Sequence, residues 1–353
     1  MASILSIATA SLRPDQLTDN HHLRYPRVDF LEMQHLLDVD TINYTVYENS
    51  IMGGVIRRIE TLLRSDLYLA NMGWLKSRHY GLTFSWSERT GIPLAWFRRS
   101  SSRTKRFITM FHSWSKRQER AITSLNLLPM MDSVIVHCQS MKSKFLDVGM
   151  PDDRIHVIPY SVDQRFFIPQ RDIDQQSNYL VSIGENRSRD YSTLMRAVTG
   201  LPIKIDVAAS GLWYAREKHQ HFHGDIPANV SIIRNLPRRE LRNYYARSQF
   251  VVLPIKDVVY SAGATVVLEA GCMERAVIAT RSQGIVDYII DGETGILVNP
   301  GDVGAMQNAI KYLLSHPEKA CRLGKNARQR IEDEFNLETY VSRIANLLQS
   351  YCC

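Results

Sequence analysis

The chain is poor in cysteine and has no long apolar run, and both absences limit what it can be. Only five of its 353 residues are cysteine, and none has the spacing of a metal-binding cluster. This usage is typical of free thiols in a reducing compartment, so we expect a cytoplasmic protein. No apolar stretch approaches the ~18 residues that span a membrane, and the N-terminus lacks the basic and apolar regions of a secretory signal.

The length exceeds that of one ordinary hydrophobic core, so 353 residues predict two domains. Apolar segments of strand length alternate with helical patterns along both halves, which is typical of parallel sheets with crossover helices. A polar stretch over 160–178 interrupts this alternation, and we interpret it as an interdomain linker. The expected fold class is therefore α/β with two Rossmann-like domains.

Three further segments carry specific secondary-structure predictions. TINYTVYE (41–48) is rich in β-branched and aromatic residues and predicts a strand. VIRRIETLLRSDLYLANM (55–72) has the apolar spacing of one long amphipathic helix. LETYVSRIANLLQSY (337–351) predicts a last helix that we expect to cross back to the first domain.

The stretch VVLPIKDVVYSAGATVVLEAG (251–271) predicts a buried strand, a loop of small residues and a helix. Gly263 and Ala264 carry almost no side chain, so the amides of 263–265 are open to a ligand. Free amides at a helix N-terminus favour an anion, typically phosphate. Glu269 follows Thr265 by four residues on the same helix face, where its carboxylate can accept bonds from ribose hydroxyls. An ordinary crossover helix with an exposed glutamate is the alternative.

Basic residues are concentrated between 98 and 120. This segment has only one acidic residue, Glu119. Its eight basic residues are Arg98, Arg99, Arg103, Lys105, Arg106, Lys116, Arg117 and Arg120. Trp96, Phe97, Phe107 and Trp114 are interleaved with them. Such a segment, especially 96–107, suits an anionic membrane surface, and a solvated loop is the alternative. We do not expect nucleic acid as a partner, because no nucleic-acid-binding motif is visible.

Four stretches together resemble a known family: SVIVHCQSMKSKFLDVGMPDDRIHVIPYSVDQRFFIP, VSIGENRSRDYSTLMRAV, ARSQFVVLPIKDVVYSAGATVVLEAG and AVIATRSQGIVDYIIDGETGILVNPGD. Over about 132–320 their order and spacing resemble retaining nucleotide-sugar glycosyltransferases of the GT-B fold, family 4 (glycosyl transferases group 1). The resemblance is weaker over 1–105. It implies two Rossmann-like domains facing across a cleft, at 1–165 and 172–335, with a C-terminal helix at 336–353 that packs back on the first domain.

The resemblance also implies roles for residues of the second domain, which binds the nucleotide-sugar donor. Glu269 corresponds to the glutamate that holds the ribose, while the glutamate that contacts the donor sugar is replaced by Ser261. Arg189 takes roughly the position of a lysine that neutralises the diphosphate leaving group. The neighbouring arginine position carries Glu185, and Arg187 is the expected substitute. The diphosphate cradle falls on the amides of Gly263, Ala264 and Thr265.

In the first domain, MFHSW is similar to the strand-end histidine of the family, which makes His112 a candidate catalytic residue. As a neutral imidazole it would bind a hydroxyl of the donor sugar or orient the acceptor. Glu88, after LTFSWS, is a candidate for acceptor binding. The resemblance implies transfer to an acceptor hydroxyl with retained configuration, without a bound metal or other cofactor. A nucleotide-sugar 2-epimerase and a catalytically weak sugar-nucleotide-binding protein are the alternatives.

Overall fold

The computed structural model describes residues 3–10, 25–48, 53–63, 65–99, 105–184, 188–209, 226–234 and 236–352. These residues form two compact units. The first contains 3–10, the described part of Arg27–Pro159, and 338–352, and the second contains 25–26 and the described part of Tyr160–Leu337. The chain thus enters the second unit at Tyr160, a few residues before the boundary drawn at 165.

The first unit is built on a six-stranded parallel sheet with the order β2-β1-β3-β4-β5-β6. In its register Ile4 lies opposite both Val39 and Leu82. Every residue of β1, β3 and β5 is buried, as expected for parallel strands that are covered on both faces. The strands are β1 (Ile4–Ile7), β2 (Val39–Ile42), β3 (Leu82–Ser85), β4 (Arg106–Phe111), β5 (Ser133–Val136) and β6 (Ile155–Val157).

The helices of this unit follow the strands as crossovers, except for a cluster between β2 and β3. Their bounds are α1 (Asp29–Gln34), α2 (Thr45–Glu48), α3 (Gly53–Leu63), α4 (Leu67–Ser77), α5 (Glu88–Arg98), α6 (Lys116–Ser124) and α7 (Gln139–Asp147). Ser87 and Ser115 cap α5 and α6 by accepting bonds from first-turn amides. Both helices begin just after strands, so their N-termini lie at the carboxyl edge of the sheet.

Two of the secondary-structure predictions are wrong. The segment 41–48 contains only the end of β2, and Thr45–Glu48 forms α2 instead. Tyr47 of this short helix is buried, and its hydroxyl donates to the Glu60 carboxylate at 2.5 Å. A tertiary contact that joins α2 to α3 therefore outweighs the strand propensity of these aromatic residues.

The single helix predicted over 55–72 is two helices, α3 and α4. Asp66, just before α4, is 3% exposed and accepts two bonds from the Arg89 guanidinium at 2.8 and 2.9 Å. Its carboxylate also accepts from the Tyr44 hydroxyl at 3.0 Å. A buried carboxylate needs these partners, so the chain turns at Asp66 to reach them.

The second unit has its own six-stranded parallel sheet, with the order β12-β11-β10-β7-β8-β9. Read from β9, this is the strand order of the dinucleotide-binding fold, whose connections reverse direction between the first and fourth strands, here β7 and β10. The strands are β7 (Tyr179–Ile183), β8 (Lys204–Ala208), β9 (Val230–Ile233), β10 (Phe250–Leu253), β11 (Val277–Thr280) and β12 (Ile296–Val298).

The helices that follow are α8 (Tyr191–Val198), α9 (Arg238–Arg247), α10 (Ala264–Cys272), α11 (Val303–Ser315), α12 (Pro317–Arg330) and α13 (Leu337–Ser350). One π-helical turn, Ile331–Phe335, precedes α13. From Glu338 onward, α13 belongs to the first unit. There it buries Tyr340, Ile344 and Leu348, and the Tyr340 hydroxyl lies 3.5 Å from the Met110 sulfur on β4.

Candidate functional site

The switch between β7 and β10 brings the loops after these two strands together. The Asp190 amide donates to the Pro254 carbonyl at 3.1 Å, and the Lys256 amide donates to the Ser188 carbonyl at 2.8 Å. Arg189 and Ile255 form an antiparallel bridge between these two bonds. In open α/β sheets ligands bind outside the carboxyl ends of the strands at such a switch point.

Gly263 starts α10 with a backbone that strongly favours glycine. Its φ is +86°, in the left-handed region, and it is the N-cap residue of the helix. A Cβ atom at this position would lie only 3.0 Å from side-chain carbons of both Leu253 and Ile255. The turn can therefore bring the backbone close to the strand end only without a side chain.

The first amides of α10 are the predicted diphosphate cradle. The Ala264 amide donates to the Ser261 carbonyl at 3.2 Å, so it is partly engaged within the turn. Within the described residues, the amides of Gly263, Thr265 and Val266 donate to no protein acceptor. Gly263 and Thr265 of the predicted set therefore keep open amides, Ala264 does not, and the Val266 amide is open as well.

Arg189 lies directly against this turn. Its side chain is 3% exposed, and its Nε donates to the Ile183 carbonyl at 3.2 Å. Its Nη1 is buried without a hydrogen-bond partner in the described part of the chain. A Cβ atom on Gly263 would stand 3.3 Å from this Nη1, and a Cβ on Gly184 would overlap the guanidinium. Burial lowers the pKa of Arg189, because it disfavours the charged form.

Glu269 lies one turn further along α10, on the face it shares with Thr265. Its carboxylate accepts a bond from the Tyr245 hydroxyl at 2.9 Å, and Tyr245 is fully buried on α9. Thr265 is exposed and Glu269 is half-buried, so this face of the helix is open to solvent. Tyr245, which the sequence did not single out, orients the carboxylate near the open amides.

Ser261 and Arg187 complete the residues predicted for the second unit. Ser261 is 5% exposed in the turn before Gly263 and presents no ionisable group. A Cβ atom on Gly284 would overlap the Tyr260 carbonyl, so this glycine lets the loop after β11 pack directly against the turn. Arg187 lies outside the described residues.

In the first unit the two predicted residues are in direct contact. His112 follows β4, and its backbone amide donates to Glu88 Oε2 at 2.9 Å. Glu88 is 6% exposed in the first turn of α5, and its Oε1 accepts from the Ser113 hydroxyl at 2.5 Å. This carboxylate therefore fixes the backbone on which His112 stands, and little of it faces solvent.

The His112 ring has partners at both nitrogens. Its Nε2 lies 2.6 Å from the Trp86 carbonyl, and its Nδ1 lies 3.1 Å from His137 Nε2. His137 is 1% exposed, and burial holds its pKa well below the usual value. Sequence reasoning missed His137, although VIVHC places it after β5 just as MFHSW places His112 after β4. The repeated position at two neighbouring strand ends was the available signal.

The basic segment is less exposed than its composition suggested. Arg98 is 8% exposed, donates to the Lys105 carbonyl at 2.6 Å and lies over the Phe107 ring. Arg98 and Phe107 are therefore structural and do not form part of a surface, whereas Trp96 and Arg99 are exposed. No helix among the described residues is long and apolar enough to cross a membrane, and those residues contain no cluster of three or more metal-ligating side chains.

The family comparison matches the unit that carries the turn at Gly263. The model for "Glycosyl transferases group 1" matches residues 163–330. The matched segment covers most of the second unit. The resemblance to glycosyl transferases group 1 that the four sequence stretches predicted is thereby confirmed, and the switch-point loops of this unit lie within the matched segment.

Curated relatives cover only part of this chain. A GDP-mannose-dependent alpha-(1-6)-phosphatidylinositol monomannoside mannosyltransferase of Mycolicibacterium smegmatis is 25% identical over 228 residues, 59% of each chain. A trehalose synthase of Thermococcus litoralis is 33% identical over 125 residues, 35% of this chain and 29% of that protein. The chain thus spans less than two thirds of the length of these relatives.

Solved structures extend the likeness to nearly the whole chain. Anabaena HepE in complex with UDP-glucose superposes with a TM-score of 0.71 at 15% identity, covering 99% of this chain and 100% of that one. A trehalose 6-phosphate synthase from Burkholderia multivorans gives a TM-score of 0.71 at 12% identity, covering 99% and 98%. These likenesses show the fold, which is the predicted GT-B fold.

Proposed function

We propose that this chain is a glycosyltransferase that moves a sugar from a nucleotide-sugar donor to an acceptor hydroxyl with retention of configuration. The observation that carries the proposal is the buried Arg189 guanidinium, whose Nη1 has no hydrogen-bond partner among the described residues and lies beside the left-handed turn at Gly263. A buried cation next to open helix amides is the arrangement expected for a diphosphate.

In this proposal the donor is held by the second unit. The open amides of α10 and the Arg189 guanidinium bind the diphosphate, and Glu269, oriented by Tyr245, accepts bonds from the ribose hydroxyls. Departure of a nucleoside diphosphate builds negative charge on its β-phosphate, and a fixed cation stabilises that charge. Two relatives support such a donor, since HepE was solved with UDP-glucose and the mannosyltransferase depends on GDP-mannose.

The proposed chemistry needs no covalent enzyme nucleophile and no bound metal. As the bond from sugar to phosphate loosens, an oxocarbenium-like sugar forms, and the acceptor hydroxyl attacks from the side of the leaving group. His112 and Glu88 belong to the acceptor side of this proposal, in the first unit. The short Ser261 side chain leaves the donor sugar without the carboxylate contact that the family pattern supplies.

A membrane surface is the proposed place of the reaction. Val55, Ile59 and Leu62 of α3 are 52%, 52% and 76% exposed and follow the spacing of one helix face. Arg57 and Arg58 of the same helix are exposed as well. An exposed apolar stripe with cations beside it suits the interface of an anionic bilayer.

Nucleotide binding and turnover test the proposed function together. We expect UDP or GDP to raise the melting temperature, because a ligand of the native state stabilises it. Glu269→Ala should lower the affinity for that nucleotide roughly tenfold, the equivalent of about 1.4 kcal/mol, while the exposed Glu293→Ala should not. Calorimetric titration measures the affinity of both variants.

Turnover separates the competing activities. Transfer, or slow hydrolysis, of a nucleotide sugar with retained configuration supports the proposal. A product epimerised at C2 would instead indicate an epimerase. Binding without transfer or hydrolysis of any nucleotide sugar would indicate a sugar-nucleotide-binding protein, as the loss of the carboxylate at Ser261 would allow. No binding of any nucleoside diphosphate would refute the donor site itself.

A further inference from the structure

Two histidines of the first unit form a hydrogen-bonded chain that ends on a backbone carbonyl at each side. His137 Nδ1 lies 2.8 Å from the Ile158 carbonyl, and His137 Nε2 lies 3.1 Å from His112 Nδ1. His112 Nε2 then lies 2.6 Å from the Trp86 carbonyl. The two ring planes are within 19° of each other.

The chemistry of the two ends assigns the protons. A carbonyl only accepts, so His137 Nδ1 carries a hydrogen and donates it to Ile158. His137 is fully buried, and burial favours its neutral form, so its Nε2 is bare and accepts. His112 Nδ1 must therefore carry the hydrogen of the central bond. This leaves His112 Nε2 as the one ring nitrogen of the pair whose hydrogen can come and go.

We propose that His137 is a positioning residue that fixes His112 with its hydrogen on Nδ1, so that Nε2 is the proton-exchanging atom at this strand end. With a proton, Nε2 donates to the Trp86 carbonyl. Without it, two lone pairs face each other, and Nε2 accepts a hydrogen bond from a hydroxyl instead. The identity of that hydroxyl, on donor sugar or acceptor, rests on the proposed function.

The proton balance of the exchange is simple. Where that hydroxyl is the acceptor's, Nε2 takes its proton as the hydroxyl oxygen forms its new bond to the sugar, and the nucleoside diphosphate leaves with the electron pair of the broken bond. The resulting imidazolium has both hydrogens already met, by His137 Nε2 and by the Trp86 carbonyl. It returns the proton to solvent or to the departing phosphate, so the enzyme ends unchanged.

Several titratable or polar groups from other elements lie near the two histidines. Glu88, on α5, accepts a hydrogen bond from the His112 backbone amide. Asp29, on α1, interacts electrostatically with His112, and burial raises the pKa of Asp29. On the far side, the neighbour of His137 on α13 is the Tyr340 ring, 6.4 Å away.

Nitrogen-15 NMR of the unmodified full chain tests the proton assignment without any substrate. We expect His137 to stay neutral with its hydrogen on Nδ1 between pH 5 and 8, which is the range where ordinary histidines titrate. We expect His112 to keep a hydrogen on Nδ1 throughout this range. A His112 whose neutral form carries its hydrogen on Nε2, or a His137 that titrates in this range, would overturn the proposal.

Variants test the consequence for turnover. His137→Phe should lower kcat by roughly one to two orders of magnitude, a share of what a positioned acid–base group supplies, and leave the donor KM unchanged. His137→Gln keeps an acceptor near the Nε2 position and should restore most of the rate. His316→Gln, an exposed histidine of the second unit, is the control.

The outcomes distinguish this inference from the proposed function. If the NMR result is as expected but no nucleotide sugar is turned over, the proposed function fails and the histidine assignment stands. If turnover is found but His137→Phe keeps the rate and pH profile of the unmodified chain, the positioning role is refuted. Where His137→Phe does not fold, the comparison of His137→Gln with the unmodified chain and the NMR titration still decide.

Discussion

At the residue scale, a buried guanidinium without a full set of partners is the feature that most directly indicates a ligand. Arg189 keeps its Nε bond to Ile183, but Nη1 has no acceptor among the described residues. Burying a charged group without partners is costly, and natural chains retain such groups where binding needs them. Arg189 should therefore lower the stability of the protein without ligand and raise its affinity for the nucleotide, and the two effects can be measured separately.

Arg189→Met tests this trade. Without ligand we expect its free energy of unfolding to be unchanged or higher, since an apolar side chain replaces a poorly paired buried cation. The affinity for UDP or GDP should fall tenfold or more, because charge-assisted bonds to phosphate are lost, with tenfold equal to about 1.4 kcal/mol. Denaturant unfolding and calorimetry measure the two effects.

The exposed Arg196→Met, on α8, is the matched control and should change neither quantity. A large loss of stability in Arg189→Met with unchanged nucleotide affinity would show that Arg189 is structural.

Gly263→Ala tests the other side of the same turn. The substitution meets both a positive φ of +86° and carbons only 3.0 Å away. At Gly301, φ is +72° and nothing lies within 4 Å of an added Cβ, so an alanine there has only the conformational cost. We expect Gly301→Ala to cost about 1–2 kcal/mol and Gly263→Ala to cost more, by denaturant unfolding. Equal costs would mean that the close approach to β10 is easily relieved.

At the element scale, the division of one predicted helix into α3 and α4 shows a buried carboxylate and its partly exposed arginine partner overriding a continuous helical pattern. Asp66 interrupts the apolar period of 55–72, yet a single acidic residue in such a pattern normally faces solvent. What could not be read from the pattern is that Arg89, at the start of α5, lies within reach. The pairing is set by the packing of α4 against α5.

Removing the Asp66 carboxylate tests how far stability depends on its pairing with Arg89. Asp66→Ala leaves the Arg89 guanidinium and the Tyr44 hydroxyl without their shared acceptor, so we expect a loss of about 3 kcal/mol. Asp147→Ala removes a more exposed ion pair, with Lys144, and should cost under about 1 kcal/mol. Thermal and denaturant unfolding of both variants provide the comparison. Similar small losses would mean that the turn at Asp66 does not depend on the pair.

At the scale of the whole molecule, the proposed membrane contact depends on surfaces rather than on single pockets. Arg98 and Phe107 are buried and cannot contact a bilayer. The exposed apolar stripe of α3 can, although composition alone did not indicate it. Association with a bilayer would then combine apolar insertion with electrostatic attraction, and only the second contribution is screened by salt.

Vesicle co-sedimentation measures both contributions. We expect binding to vesicles containing phosphatidylserine to fall in high salt and in Arg57→Gln/Arg58→Gln, and to fall at all salt concentrations in Ile59→Ser/Leu62→Ser. Leu146→Ser, an exposed leucine on α7, is the control. Equal binding of all four proteins, or none to any vesicle, would show that these side chains are ordinary solvated surface.

The GT-B fold and the turn at Gly263 could be predicted because their signals are local in sequence. Apolar strand segments, the small residues around Gly263 and the four-residue step from Thr265 to Glu269 each lie within a few residues of one another. The family pattern identified Arg189 as a candidate and showed that Ser261 stands where the family has a glutamate. Parallel strands then dictate that the segments following them meet at one sheet edge.

Tertiary structure decided what depends on residues distant in sequence. The contact of Tyr245 with Glu269, the burial of Arg189 against two glycines and the pairing of His137 with His112 each join different elements. Whether Arg98 lies on the surface likewise follows from packing and not from composition. Sequence by itself determined the repeating strand and helix units and their chemical groups. The fold determined hydrogen-bond partners and burial, because both depend on distances that only chain packing sets.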